Sequence, residues 1–105
     1  ANLHPTAIGQ KVEIIVEHPI LNIVLGRINE VGAPRYTVLD AVSGRGHSGE
    51  WDADQLTTAT RHALVIMIVG DELAQAIVDT VSEVFNDYPG IIYVSDVLVR
   101  RAEYF

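Results

Sequence analysis

The sequence predicts an α+β domain in which a four-stranded antiparallel sheet carries two helices on one face. Three observations predict it: two stretches with apolar residues at three- and four-residue spacing, four runs rich in β-branched residues before, between and after them, and turn residues at nearly every junction. The order along the chain is β-α-β-β-α-β.

Residues 1–9 contain Pro5 and Gly9 and show no period, so they are expected as a flexible lead-in. Lys11-Val12-Glu13-Ile14-Ile15-Val16 alternates and then turns wholly β-branched, as a strand half buried against helices does. Pro19 suits a first helical turn, and Ile20, Ile23, Val24, Ile28 and Val31 make one apolar face that Gly32 and Pro34 terminate. Tyr36 to Val42 is rich in β-formers and predicts the second strand. A connection of about 17 residues follows, longer than a hairpin needs and therefore a candidate functional segment.

Ala63 to Val69 is an apolar run too short for a helix when bounded by Gly70, and predicts a central strand. Asp71 is placed as an N-cap and Glu72 in the first turn of a second helix, with Leu73, Ala76, Ile77, Thr80, Val81 and Val84 on its apolar face. Asn86 to Gly90 is a cluster of turn residues, and Ile91 to Val94 with Val97 to Val99 makes the last strand. This is the split βαβ, or ferredoxin-like, order. Helices on one side leave the opposite sheet face needing a cover, and self-association supplies it most cheaply.

The chain has 105 residues, of which 49% are hydrophobic and 20% charged, so one globular domain with an apolar excess is expected. Seven Lys plus Arg against fourteen Asp plus Glu give a formal charge of −7, which opposes binding to nucleic acid or anionic lipid. Any anion site must therefore be local. The absence of cysteine excludes disulfides, thiolate metal sites and a Cys nucleophile. No run approaches the roughly 18 apolar residues of a membrane span, and a cytoplasmic location is expected.

The stretch Ser43-Gly44-Arg45-Gly46-His47-Ser48-Gly49 contains a complete G-x-G-x-x-G. It follows the second strand and opens no helix, so the dinucleotide reading fails on context. Glycine-rich backbone can still turn its N–H groups inward as an anion nest, and Arg45 adds a fixed positive charge with five donors. The alternative is a solvated loop whose glycines only relieve strain. His4, His18, His47 and His62 show no metal-ligand spacing, His47 alone being placed to meet a loop-bound anion. Serines 43, 48, 82 and 95 lack the context of a nucleophile, and Asp52 with Asp54 reads first as a solvated pair. Arg100 and Arg101 end the last strand on opposite faces. Trp51 is either a tip that packs on a partner or a residue folded back on its own chain.

Tyr36-Thr37-Val38-Leu39 leading into Ser43-Gly44-Arg45-Gly46, together with Phe85-Asn86-Asp87-Tyr88-Pro89-Gly90-Ile91-Ile92-Tyr93, resembles the PII-like signalling proteins. Within them it is most similar to the branch associated with bicarbonate transport and carboxysomes. The resemblance spans about residues 10 to 101. It implies a homotrimer with its sheets turned inward and three adenine-nucleotide sites between subunits. Each site is roofed by the T-loop (43–60) and floored by the B-loop (86–90). Carried over by position, Ser43, Gly44, Arg45 and Gly46 would lie at the phosphates, Pro89 and Gly90 in the B-loop, and Arg101 with Arg100 beside it would reach the cleft from the strand end.

Departures from the family pattern refine this. Nitrogen-regulating PII proteins carry Gly-Asp-Gly-Lys in the B-loop, whereas this chain has Tyr88-Pro89-Gly90-Ile91, which removes the lysine that holds outer phosphates. AMP or ADP is therefore expected over ATP, bicarbonate is the expected second ligand, and no metal or obligatory cofactor is implied. No tyrosine between Ser43 and Thr60 is available for uridylylation. The resemblance implies a regulatory sensor and not an enzyme, signalling to a bicarbonate transporter or carboxysome-related protein. Two rivals remain: a slow nucleotide phosphohydrolase using Asp52 or Asp54 with Mg²⁺, and a CutA-like trimer in which the long connection is an ordered hairpin and no nucleotide binds.

Overall fold

A computed structural model describes residues 6–33, 35–41, 44–46, 49–51 and 61–100. Strand β1 (Thr6–Glu17) leads through one 3-10 turn (His18–Ile20) into helix α1 (Leu21–Glu30) and strand β2 (Thr37–Ala41). Two short strands follow, β3 (Gly44–Gly46) and β4 (Gly49–Trp51), and then β5 (His62–Val69), helix α2 (Asp71–Val84) and β6 (Gly90–Arg100). Strands β2, β5, β1 and β6 form one sheet in that spatial order, with every neighbouring pair antiparallel. Setting aside the β3–β4 pair, the result is the four-stranded, two-helix arrangement expected.

Alternation places the core. Val12, Ile14 and Val16 of β1 and Ala63, Val65, Met67 and Val69 of β5 are buried on one sheet face against Val24 and Ile28 of α1 and Ala74, Ile77, Val81 and Val84 of α2. Both central strands lie under the helices, while the edge strands β2 and β6 contribute no buried side chain among the described residues. Of the first predicted helix face, Val24 and Ile28 are buried but Ile23 is exposed, because the helix starts two residues after Pro19 and turns Leu21 and Leu25 toward the core instead. In α2 the N-cap is Gly70, not Asp71, and Ala74 takes a core position.

The ends of α1 follow local rules. Gly32 has φ +92°, its N–H donates to the Asn29 carbonyl at 3.1 Å, and the Ala33 N–H donates to the Ile28 carbonyl at 3.0 Å. These are the two bonds of a Schellman cap, and only glycine adopts that φ without strain. The lead-in expectation is corrected over its second half. Thr6 to Gly9 are strand, paired with Val97 to Arg100, because β6 runs on past α2 and offers them a ladder.

The other sheet face is open. Leu39, Leu64, Ile66, Ile68, Ile15, Ile91 and Tyr93 occupy the positions opposite the core, and Leu39 and Ile91 are 49% and 59% exposed. In its middle, Lys11 Nζ lies 3.2 Å from Glu13 Oε1, and Glu13 stands opposite Tyr93 in the ladder.

Candidate functional site

Register decides where the candidate residues fall. Ala41 pairs with His62, His62 with Glu17, and the neighbouring Val16 with Gly90. The end of β2, from which the long connection departs, therefore shares one sheet end with Gly90 at the start of β6. They sit on opposite edges, three inter-strand spacings or about 14 Å apart.

Arg100 lies elsewhere. It ends the 11-residue β6 that Gly90 begins, so the two are about 33 Å apart along one strand. Within one chain the structure does not bring Arg100 to Gly90. Ser43 and Arg101 lie outside the described residues, as do His4, His47, Ser48, Asp52 and Asp54.

The glycine stretch takes a definite course where it is described. Gly44 pairs with Trp51, Arg45 with Glu50 and Gly46 with Gly49, so the two halves of the G-x-G-x-x-G lie side by side in an antiparallel ladder. Glycine is depleted in strands, so of the sequence readings only the rival one, an ordered hairpin in the long connection, anticipated this pairing. At the opposite edge, Asn86 to Tyr88 make the turn, with the Asp87 and Tyr88 N–H groups both donating to the Val84 carbonyl at 3.1 Å. Pro89 and Tyr88 are exposed there.

Two charged residues that sequence reasoning did not single out bracket the connection. Arg61 Nη2 donates to Asp40 Oδ2 at 3.4 Å, linking the residue before the last position of β2 to the residue before β5. The Arg61 carbonyl accepts from the His18 N–H at 2.8 Å, and its Nε is buried with no acceptor among the described residues. No local pattern marks this pair; only the β2–β5 register brings residues 21 apart in sequence together. Among the described residues no three His, Asp or Glu side chains cluster as a metal site. Nor is any described helix long and apolar enough to cross a membrane.

The site end of the sheet thus offers a turn edge at Gly90 and, where the long connection departs, an Arg61–Asp40 stem. Comparison with known proteins places the fold. The family model for the nitrogen regulatory protein P-II matches residues 9–104. The structure of CPII, a nitrogen regulatory PII-like protein from Thiomonas intermedia K12 bound to ADP, AMP and bicarbonate, superposes with a TM-score of 0.82. It is 22% identical, and the match covers 96% of each chain. The same protein bound to ADP and bicarbonate gives 0.79 at 24% identity, covering 96% of this chain and 97% of that one. A PII-like signaling protein from Thermus thermophilus gives 0.80 at 25% identity, with 95% and 97% covered.

Proposed function

The chain belongs to the nitrogen regulatory protein P-II family, and we propose that it is a regulatory sensor binding AMP or ADP in preference to ATP at clefts between the subunits of a homotrimer. Bicarbonate is its second ligand. The T-loop, ordered by nucleotide, presents or hides a surface for a partner protein of inorganic-carbon metabolism, a bicarbonate transporter or a carboxysome-related protein. The protein acts in the cytoplasm and catalyses no reaction.

One observation carries the shared-site reading. Gly90 and Arg100 stand at opposite ends of β6, about 33 Å apart, a gap no single adenine nucleotide spans. If both contact one ligand, they do so from different subunits. Turning the open apolar faces of three copies inward would set the β6 edge of one beside the β2 edge of the next. The nucleotide and bicarbonate reading is supported by the ligands of the Thiomonas protein, whose fold this chain shares. The preference for AMP or ADP rests on Tyr88-Pro89-Gly90-Ile91, which lacks a phosphate-holding lysine.

Thermal unfolding in the presence of AMP, ADP, ATP and cyclic AMP tests this. At a hundredfold excess over Kd a bound nucleotide adds about 2.7 kcal/mol of stability, so AMP or ADP raises Tm by several degrees and ATP by less. Unchanged melting with all four overturns the reading. Calorimetry of the ADP-loaded protein with and without bicarbonate tests the second ligand, and identical isotherms remove it. A phosphate-release assay with ADP and Mg²⁺ is expected to stay at background.

The β3–β4 ladder favours a second reading, a CutA-like trimer in which the connection is an ordered hairpin and no nucleotide binds. The same melting series decides between them.

A further inference from the structure

A notch lies on the helix face, at the sheet end remote from Gly90. There the first half of α2 stands off the β1–β6 pair and leaves a notch of about 300 Å³. Its apolar wall is Ala74, Val78 and Val94, and its polar rim is Gln10, Asp71 and Gln75.

The hydrogen bonds around the notch determine what the rim can recognise. Gln10 Nε2 donates to Asp96 Oδ1 at 2.6 Å, and Gln75 Nε2 donates to Asp79 Oδ1 at 2.9 Å. Each amide nitrogen gives one of its two N–H groups to a carboxylate, and each glutamine brings its carbonyl oxygen as an acceptor beside the remaining N–H. Asp71 adds a carboxylate. The rim is therefore rich in acceptors above an apolar wall, which matches an aliphatic stem ending in an ammonium or guanidinium group. Asp96, Glu72 and Asp79 are exposed around it and reinforce the negative field.

The notch continues into an apolar pair. Ile8 and Leu98 face each other one ladder step beyond Gln10 and Asp96, on the same face, and are 62% and 71% exposed. Two residues along a strand span about 7 Å. Arg100 stands one step further still, opposite Thr6, so the acidic part of the surface lies toward α2 and the apolar part toward the ribbon tip.

We propose that this surface docks an extended segment of a partner protein carrying a large aliphatic residue and a lysine or arginine two positions apart. The aliphatic side chain covers Ile8 and Leu98, and the cation enters the notch between Gln10, Asp71 and Gln75. None of its residues lies at the Gly90 end of its own chain, and the notch residues Gln10, Asp71 and Gln75 stand apart from Arg100, which the shared-site reading brings to a neighbouring subunit.

The test is an NMR titration of the ¹⁵N-labelled full chain with a capped peptide, Ser-Leu-Ser-Lys-Ser, at millimolar concentration. The amides of Gln10, Asp71, Gln75, Val78, Asp96 and Leu98 are expected to shift together and to saturate. Replacing the peptide lysine by glutamate should weaken binding at least tenfold. Gln75→Lys, an exposed helix position that places a cation at the rim, should weaken it at least fivefold, and Leu98→Ser likewise, while the rest of the spectrum keeps its native dispersion. Three results overturn the proposal: equal binding of the glutamate peptide; putrescine shifting the same amides at lower concentration than the peptide, which makes the notch a diamine site; and a lower oligomeric state of Leu98→Ser, which assigns Leu98 to a contact between copies. Because the readout needs no ligand at the other sheet end, its failure is separate from a failure to bind ADP.

Discussion

The Phe85 ring lies directly over the Cα of Gly90, so that a Cβ at residue 90 would meet Phe85 Cδ1 at 2.8 Å and two further ring carbons closer still. Glycine at this turn is required by packing, since Phe85 is half-buried against the core and cannot withdraw freely. Gly90→Ala is expected to cost about 1–3 kcal/mol, as other overpacked sites do. Phe85→Leu/Gly90→Ala should be more stable than the sum of the single changes predicts, and urea unfolding of the four proteins measures the coupling.

Helix packing rests on apolar contact more than on the ion pair between the helices. Arg27 Nη1 lies 2.8 Å from Glu83 Oε2 and 3.4 Å from Thr80 Oγ1, but the Glu83 side chain is two-thirds exposed. Glu83→Gln should cost less than about 1 kcal/mol. Ile77→Ala, at a fully buried position, should cost about 2–5 kcal/mol. Denaturant midpoints at constant slope check both.

Assembly is expected through the open sheet face. Ile91→Glu changes an exposed side chain of one chain, so the fold should survive, yet it would bury a charge between subunits. Sedimentation should show a trimer for the parent protein and a monomer for this variant. A trimeric variant would place the interface elsewhere.

Arg45→Ala should weaken ADP binding by about 1.5–3 kcal/mol if a charge-assisted bond to phosphate is lost. Subunits carrying Arg45→Ala and subunits carrying Arg101→Ala, unfolded together and refolded as a mixture, should recover a fraction of intact sites. Mixing that restores no binding would show that one chain supplies both arginines.

The Tyr93 hydroxyl is held above its ordinary value of 10.0, first by desolvation, then by its hydrogen bond to Glu13 and the Glu13 charge, with Lys11 opposing. A raised folded value means that its contribution to stability is complete below the unfolded pKa and is lost as pH rises through the folded one. Stability should therefore fall above about pH 10 in the parent, and Tyr93→Phe should lack that part of the fall. Matched denaturant midpoints at about pH 8 and about pH 10.5, on either side of the ordinary tyrosine value, measure it, and an equal loss in both proteins counts against the Tyr93–Glu13 contact.

The sequence by itself determined the order of the four sheet strands, both helices and the core face of β1, because alternation and helical period are local properties that Val12, Ile14 and Val16 display wherever the chain goes; the unbroken apolar run of β5 marked a central strand but not which of its faces meets the helices. It also marked the Gly32 cap and the turn before Gly90, whose requirements fall within a few residues. Only the tertiary structure decided that Ala41 and Gly90 share a sheet end while Arg100 does not, that Arg61 meets Asp40, that Thr6 to Gly9 join a ribbon, and that Gln10 turns toward α2. Each of these depends on ladder register or on packing between distant segments, where a shift of one residue reverses every face, and no local pattern encodes which residue will stand opposite.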